Sequence, residues 1–366
     1  MKPSYRTKNS VLYHGNALDV LKGLPDGSVH SCISSPPYFN LRSYLDENDP
    51  NKEMEVGIEK TPEEFVSRLV EIYREVRRVL RDDGNIWINL GDSYSEGNLV
   101  GIPWRVALAL QSDGWVLRQD IIWSKPACMP ESVQNRCTKS HEYIFLLVKQ
   151  AGYFYDGSAI KEKSVDPPGK NRKGSLYAAA TKGSDGSKIA ANNHGGGLES
   201  LNSTGTANKR SVWTVASEGN SDLHFAPFPQ KLVQPMVLAG TSAKGCCAEC
   251  GSPYKRIVEK EKLKRERPND YVKRTGEKGT GNSCANTVAG VEVKTLGWEK
   301  TCSCSTNEIK PCTILDMFAG TSTTGVVALK NGRRFIGIDL NDEYLKISHR
   351  RLQAAETRKG FFAGGS

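Results

Sequence analysis

Apolar runs alternate along the chain with amphipathic segments. Short apolar runs predict strands at residues 11–14, 85–90, 115–123 and 143–148. One intervening segment begins at Thr61-Pro62, a typical helix start. Apolar side chains then recur every three or four positions and predict one buried helix face: Phe65, Leu69, Ile72, Tyr73, Val76, Val79 and Leu80. The pair Asp83-Gly84 is expected to end this helix.

The same alternation returns in the C-terminal part of the chain. A buried strand beginning at Thr313 leads into a tight turn of small residues and a helix with Thr and Ser as N-caps. A further strand over residues 333–338 ends in Asp339, and residues 342–358 predict a closing helix. Other helices are expected just after Gly15, near Pro103 and over residues 230–239. This alternation favours an α/β fold with a doubly wound, mainly parallel sheet.

Two stretches lack any periodic pattern. Residues 157–208 are rich in Gly and Ser and cannot form a core of their own, so they are expected to be a mobile insertion or a loop that orders on a ligand. Residues 247–304 form a second irregular block. Within it, residues 259–267 are charged enough to be a solvated helix instead.

The net charge bears on the partner. The chain has 366 residues, with 50 Lys and Arg against 41 Asp and Glu, for a formal charge of +9. Such a balance favours a polyanionic partner.

No apolar run approaches the roughly 20 residues of a membrane span, and the N-terminus lacks a signal-peptide core. We therefore expect a cytoplasmic protein without membrane contact, whose ten cysteines are thiols or metal ligands rather than disulfides.

Four of those cysteines form two close pairs. Two tight turns with two thiolates each can close around one tetrahedral zinc ion. The predicted zinc ligands are Cys247, Cys250, Cys302 and Cys304. Cys246 is an alternative to Cys247, and unligated surface thiols are the alternative to a metal. Residues 251–300 hold 12 Lys or Arg and 7 Asp or Glu, a charge of +5 that suits contact with a nucleic-acid backbone.

The most informative stretch is Ser35-Pro36-Pro37-Tyr38, at the end of a short apolar strand. Neither proline can donate to a sheet, so the strand stops there with its polar groups held stiffly at its carboxyl end. The Ser35 hydroxyl and the Pro36 carbonyl offer two acceptors for an amino group, and Tyr38 offers a flat face for a ring. An ordinary strand-terminating turn is the alternative interpretation.

The second informative stretch is the turn after Thr313. Backbone amides at the start of the following helix can hold a carboxylate. Asp339 follows the turn by about twenty residues and ends a strand, as does the acid that binds ribose hydroxyls in nucleoside-binding folds. A dinucleotide fold is the structural alternative. The loop has a single glycine, Gly320, which favours a cofactor with a carboxylate over one with a pyrophosphate.

Together these motifs resemble the amino-methylating DNA methyltransferases. Ser35 to Tyr38 resembles their catalytic tetrad in its cytosine-N4 form, and residues 316–325 resemble their S-adenosylmethionine loop. The order of the motifs, with the tetrad first, resembles the circularly permuted beta group. The resemblance implies a Rossmann-like, S-adenosylmethionine-dependent methyltransferase fold. It also implies cofactor contacts from Asn16, Phe225, Ala226, Asp316, Phe318, Ala319, Gly320, Thr321, Ser322 and Asp339.

The resemblance also implies a division of the chain by role. Residues 1–156 would form the catalytic half, residues 157–223 the target-recognition region, and residues 224–245 with 305–358 the cofactor half, while residues 246–304 would be a zinc-binding basic insert. Lys125-Pro126 and His141-Glu142-Tyr143 are expected on the target side, with a structural rather than catalytic role for His141.

The predicted activity is methylation of the 4-amino group of cytosine in double-stranded DNA, with the base flipped out of the helix. The resemblance suggests a cognate restriction endonuclease as a partner. Methylation of adenine at its 6-amino group is the alternative within the family. An inactive, zinc-bearing DNA-binding protein is the alternative from another class.

Overall fold

The computed structural model describes residues 2–41, 43–128, 130–163, 206–218, 229–263 and 290–360. The chain forms two compact units. The first comprises Met1–Ala159, Arg210–Lys255 and Lys300–Ser366, and the second Ile160–Lys209 and Arg256–Glu299. The segments of the second unit therefore lie within residues 157–223 and 246–304, the two insertions implied by the resemblance.

A nine-stranded sheet organises the first unit. Its strands are β1 (Tyr5–Arg6), β2 (Ser10–His14), β3 (Val29–Ser34), β4 (Leu80–Leu90), β7 (Val116–Ser124), β8 (His141–Val148), β11 (Val212–Thr214), β16 (Thr313–Asp316) and β17 (Arg334–Asp339). They are arranged in the order β1-β2-β17-β16-β3-β4-β8-β7-β11. The five strands from β2 to β4 are mutually parallel, whereas β8 runs antiparallel to both of its neighbours. The predicted doubly wound, mainly parallel α/β fold is confirmed.

The remaining strands form two-stranded pairs. These are β5 (Tyr94–Ser95) with β6 (Asn98–Leu99), β9 (Glu162–Lys163) with β10 (Thr206–Ala207), β12 (Cys246–Cys247) with β15 (Ile309–Lys310), and β13 (Lys255–Leu263) with β14 (Gly290–Glu299). The helices are α1 (Ala17–Lys22), α2 (Pro62–Val79), α3 (Ile102–Ser112), α4 (Gln230–Gly240), α5 (Thr323–Lys330) and α6 (Asp342–Gly360).

The helices cover both faces of the sheet. Alternate residues of a strand point to opposite faces. In β4, Ile86 and Ile88 join the core cluster that contains the buried residues of α1, α2 and α3. Asn85, on the other face of the same strand, donates to the carbonyl of Gly240 in α4 at 3.0 Å, and α4, α5 and α6 pack in succession. The buried face of α2 is the one predicted, and Thr61 caps it by accepting from the Glu64 amide at 3.2 Å.

Two of the predicted elements are wrong. The helix α2 ends at Val79 rather than at Asp83-Gly84. Leu80 pairs with Val29 of β3, so the chain is already extended there and residues 80–84 belong to β4. In the basic insert, β13 and β14 form a two-stranded sheet where an irregular block was expected, and residues 259–263 are strand rather than helix. Residues 264–289 lie outside the described residues.

The topology brings polar side chains to one edge of the sheet. Because β2, β17, β16, β3 and β4 are parallel, their carboxyl ends meet at the same edge. The antiparallel strand β8 contributes its amino end there, with Leu90 of β4 opposite Tyr143. Ser35 directly follows β3, and Asp316 and Asp339 end β16 and β17. This edge is where the candidate site lies.

Candidate active site

A cavity of about 470 Å³ opens at the carboxyl edge of the sheet in the first unit. It brings together ten of the residues predicted from the sequence: Asn16, Ser35, Pro36, Pro37, Tyr38, Phe318, Ala319, Gly320, Thr321 and Asp339. Asp316 and Ser322 are not part of its lining. Phe225 and Ala226 lie outside the described residues. The tetrad and the cofactor loop, far apart in sequence, therefore share one cavity.

The tetrad is held rigidly at the end of β3. Tyr38 packs so closely on Gly91 that a Cβ at this glycine would lie 2.4 Å from the tyrosine ring. The Tyr38 hydroxyl donates to Glu142 Oε2 at 2.6 Å. Burial first, and then the Glu142 carboxylate, raise the pKa of Tyr38 well above its usual value. The hydroxyl therefore stays protonated, and the ring is fixed at both its face and its tip.

A polar network connects the tetrad to two neighbouring strands. The side-chain amide of Asn89, near the end of β4, donates to the Tyr38 hydroxyl at 2.7 Å, to Glu142 Oε2 at 2.8 Å and, more weakly, to Ser35 Oγ at 3.4 Å. Glu142 also forms an ion pair with Lys125, which lies over the Trp123 ring. Lys125 and Glu142 line the cavity, and their place on the target side stays a prediction.

Asp316 supports the cavity from behind. Its carboxylate accepts from Ser34 Oγ at 2.8 Å, from Thr324 Oγ1 at 2.8 Å and from the Phe318 amide at 3.1 Å. The side chain is buried, and this burial raises its pKa to about 6. Asp316 lies outside the cavity lining and braces the turn after β16, so its direct contact with the cofactor stays a prediction.

The loop between β16 and α5 has an unusual backbone. Gly320 and Ser322 both have positive φ, at 50° and 56°. Ser322 is the residue before α5, but its side chain makes no capping hydrogen bond, so the predicted Ser cap is wrong. Helix α6 holds the loop instead, since Ser348 Oγ donates to the Gly320 carbonyl at 2.7 Å and Arg351 donates to the Thr321 carbonyl at 2.6 Å.

Asp339 both lines the cavity and supports the loop. One of its oxygens accepts from the Gly320 amide at 2.6 Å and the other from the Asn341 amide at 2.9 Å. Burial raises the pKa of Asp339 to about 6, and these amide bonds partly offset that rise. Near neutral pH the group is therefore an anion at the cavity wall with acceptor capacity remaining.

Asn16 lines the same cavity as the N-cap of α1, one residue after Gly15, whose amide donates to the Asp339 carbonyl at 3.0 Å. Its side-chain oxygen accepts from the Leu18 amide at 2.9 Å, and its amide group donates to the Met54 carbonyl at 3.4 Å. The residue is thus fixed by its own helix and by the segment that follows the tetrad. Asn16 therefore lies on the cavity wall, and its contact with the cofactor stays a prediction.

Sequence reasoning missed a wall of the cavity. The segment after the tetrad contributes Tyr44, Leu45, Met54, Glu55 and Val56, and other elements add Trp123, Ser217 and Tyr344. The buried Glu55 holds this segment in place by accepting from Ser43 Oγ at 3.1 Å and by pairing with Lys52. Residues 40–60 have no hydrophobic period, so the sequence contains no signal for this wall.

The cysteine cluster is separate from the cavity lining. The sulfur atoms of the four predicted zinc ligands, Cys247, Cys250, Cys302 and Cys304, all lie within 4.8 Å of one another.

His141, predicted to be structural, makes an edge-on ring contact with Tyr143 at 5.3 Å and does not line the cavity.

Comparison with known proteins identifies the family. Residues 29–248 and 300–350 match the N6_N4_Mtase family, described as DNA methylase. The chain belongs to this family. It is therefore a DNA methyltransferase, and the predicted resemblance is confirmed.

Among the described residues, each helix is either too short or too polar to cross a lipid bilayer.

Individual relatives extend over nearly the whole chain. The type II methyltransferase M.Cfr9I of Citrobacter freundii is 32% identical over 95% of this chain and 89% of its own length. M.SmaI of Serratia marcescens is 30% identical over 92% of this chain and 89% of its own length. The structure of PvuII DNA methyltransferase, described as cytosine-N4-specific, has a TM-score of 0.55 at 16% identity and covers 98% of this chain and 94% of that one. This last likeness shows a common fold.

Proposed function

We propose that this DNA methyltransferase transfers a methyl group from S-adenosyl-L-methionine to the 4-amino group of cytosine in double-stranded DNA. The observation that carries the proposal is a single cavity lined by Ser35, Pro36, Tyr38 and Asp339. Within this cavity, the Ser35 hydroxyl and the Pro36 carbonyl would accept from an amino group, and Asp339 would bind a ribose. The description of the PvuII enzyme as cytosine-N4-specific supports the same base.

The cofactor half of the cavity fits a nucleoside with an amino-acid tail. Asp339 would accept from ribose hydroxyls, since its carboxylate faces the cavity and is already oriented by two backbone amides. The amides of the 318–321 loop would hold the carboxylate, and Asn16 would lie near the adenine. When bound, S-adenosylmethionine supplies a methyl group on a positively charged sulfur.

The tetrad would act on the flipped cytosine. The lone pair of its amino nitrogen is conjugated with the ring and is a poor nucleophile. Hydrogen bonds from the amino protons to Ser35 Oγ and to the Pro36 carbonyl localise this lone pair on nitrogen. Tyr38 would stack on the base, with its ring held by Gly91 and Glu142. Attack on the methyl carbon forms the N–C bond, the S–C bond breaks, and the extra proton on nitrogen passes to solvent. Catalysis then rests on positioning and charge complementarity.

Product analysis tests this proposal. Duplex DNA incubated with the protein and a labelled methyl donor is digested to nucleosides and analysed by mass spectrometry. The expected product is 4-methylcytosine. A yield of 6-methyladenine alone would replace cytosine with adenine and leave the methyltransferase assignment intact. An absence of label in DNA, from protein that still binds S-adenosylmethionine, would favour the inactive DNA-binding alternative.

We further propose that residues 157–223 read the target sequence and that the methyl mark protects DNA from a restriction endonuclease with the same specificity. The names of the type II relatives support the second point. Base-resolution methylation mapping should reveal one short motif. Residues 164–205 lie outside the described residues, so the proposal for them comes from the family resemblance. Methylation scattered without a common motif would contradict it.

A further inference from the structure

Four cysteine thiols lie close together outside the lining of the cavity, where the proposed reaction does not use them. Two of them lie in or just after β12, and the other two precede β15, which pairs with β12 in antiparallel register. The Ala248 amide donates to the Glu308 carbonyl at 3.0 Å and Lys310 Nζ donates to the Ala248 carbonyl at 2.8 Å, so bonds outside the cluster bring the two segments together. The resulting cluster consists of Cys247, Cys250, Cys302 and Cys304, with all four sulfurs within 4.8 Å.

We propose that these four cysteines bind one structural zinc ion. In a tetrahedral site, zinc–sulfur bonds of about 2.3 Å place the sulfurs roughly 3.8 Å apart, so the cluster needs only a small contraction. Cys250 is exposed and the Cys302 and Cys304 side chains are partly buried. Apolar packing therefore does not account for their meeting. All four are free thiols rather than disulfides, and four sulfur ligands in this geometry select zinc or iron.

The first cysteine pair lies in a turn already shaped for a metal. The Gly251 amide donates to the Cys247 carbonyl at 2.9 Å, which closes the turn on itself. Gly251 has a φ of +75°, and a Cβ there would lie 2.8 Å from Arg81 Nη1, so the position requires glycine. The Cys-x-x-Cys-Gly spacing thus has a conformational basis here.

The neighbouring Cys246 belongs to a different group. Its sulfur lies with His30 and Cys312 in a fully buried set. Both ring nitrogens of His30 are engaged by the main chain: Nδ1 accepts from the Thr313 amide at 3.1 Å, and Nε2 therefore carries the proton and donates to the Gly251 carbonyl at 2.9 Å. The imidazole has no lone pair left for a metal. We therefore assign the zinc ligand to Cys247, not to Cys246.

The same contacts connect the zinc site to the catalytic sheet. His30 lies in β3, the strand that leads into Ser35, and holds the carbonyl of Gly251. Arg81, in β4, donates to the Cys250 carbonyl at 2.6 Å while its guanidinium pairs with Asp83. Zinc would order this turn and thereby stabilise the beginning of two central strands. Removal of the metal should then lower the unfolding temperature of the whole first unit.

Metal analysis of the full chain, purified without chelator, tests the assignment. We expect about one zinc per chain in the unmodified protein. In Cys250→Ser and in Cys304→Ser, we expect the zinc content per chain to fall about tenfold or more. Cys137→Ser is the matched control, because Cys137 is an exposed cysteine outside the cluster. Well under one zinc in the unmodified chain, iron in its place, or equal zinc in Cys250→Ser and the control would overturn the proposal.

Two further measurements keep the test decisive if the serine variants fold poorly. In the unmodified, folded chain, bound zinc should protect four thiols from a mercurial reagent. As the reagent modifies these four thiols, zinc should be released in proportion. Zinc release that is not accompanied by modification of four protected thiols would contradict the cluster. Cys246→Ala should retain the metal, and its loss in a folded variant would reverse the assignment of Cys247. None of these measurements depends on methyl transfer. The zinc proposal can therefore fail while the proposed function stands, and the proposed function can fail while the zinc proposal stands.

Discussion

Among single side chains, Ser35 is the one whose proposed role depends most on one hydrogen bond. Ser35→Ala should lower turnover more than tenfold, because the bond to the amino group strengthens as the lone pair becomes available. The affinity for S-adenosylmethionine should stay nearly unchanged, since Asp339 and the 318–321 loop form the other part of the cavity. Single-turnover kinetics and calorimetry measure the two effects. Ser67→Ala, at an exposed position of α2, is the control; an equal loss of affinity and rate would make Ser35 a structural residue.

Asp339 supplies a prediction with a defined pH range. Its pKa is raised to about 6, so the carboxylate becomes neutral as the pH falls through that value. The neutral acid is a poorer acceptor for ribose hydroxyls, and cofactor affinity should therefore fall as the pH drops from about 7 to about 5. Calorimetric titrations across this interval measure the effect.

The variant Asp339→Asn tests whether Asp339, rather than another titrating group, causes this pH dependence. It should weaken S-adenosylmethionine binding by about 10- to 150-fold, the usual range for a charge-assisted bond, and flatten the pH dependence. Asp342→Asn, an acid at the start of α6 outside the cavity lining, is the matched control. If Asp339→Asn retains the full pH dependence, the titrating group is the buried Asp316, whose pKa is also about 6.

At the residue scale the sequence predicted which residues lie around one cavity, but not what each side chain contacts. Ser35 and Asp339 are identifiable because each follows an apolar strand, and parallel strands bring such ends together. Asp316 has the same signature, yet it turns inward to Ser34 and Thr324. Only the three-dimensional packing distinguishes an acid that faces a cavity from one that braces a turn.

At the scale of elements, the pairing of β4 with β8 positions Glu142 in the part of the cavity that we predict to be the target side. Because β8 is antiparallel, Glu142 near its start lies beside Asn89 near the end of β4. Glu142→Gln should lower turnover with little change in cofactor affinity, since an amide cannot accept from Tyr38, Asn89 and Lys125 together. Steady-state kinetics with DNA measures this. Glu63→Gln, an exposed ion-pair partner on α2, is the control. Unaltered turnover would show that Tyr38 needs no anchor at its hydroxyl.

Periodicity explains which elements could be predicted. The buried face of α2 and the parallel strands have strong local patterns, and both were correct. The boundary between α2 and β4 was misplaced because Leu80 fits the helical spacing as well as a strand, and its pairing with Val29 decides between them. The pairing of β13 with β14 was missed because β13 is rich in Lys and Glu, which obscures its strand pattern.

At the scale of the whole molecule, charge and function are divided between the units. The cavity and the four clustered cysteines belong to the first unit, whereas Arg256–Glu299 belongs to the second. Residues 251–300 alone account for +5 of the net charge of +9. If this segment contacts the DNA backbone, its lysines should contribute to the salt dependence of DNA affinity out of proportion to their number.

A pair of charge-matched variants tests that expectation. Each phosphate contact contributes roughly 0.9 to the slope of log affinity against log salt, so Lys264→Gln with Lys278→Gln should reduce the slope by up to about 2. Lys22→Gln with Lys60→Gln removes the same charge at exposed positions of the first unit and should reduce it much less. Fluorescence anisotropy of labelled duplex DNA over a salt series measures both slopes. Equal reductions in the two variants would mean that only the total charge of the molecule matters, and the insert would lose its proposed part in DNA binding.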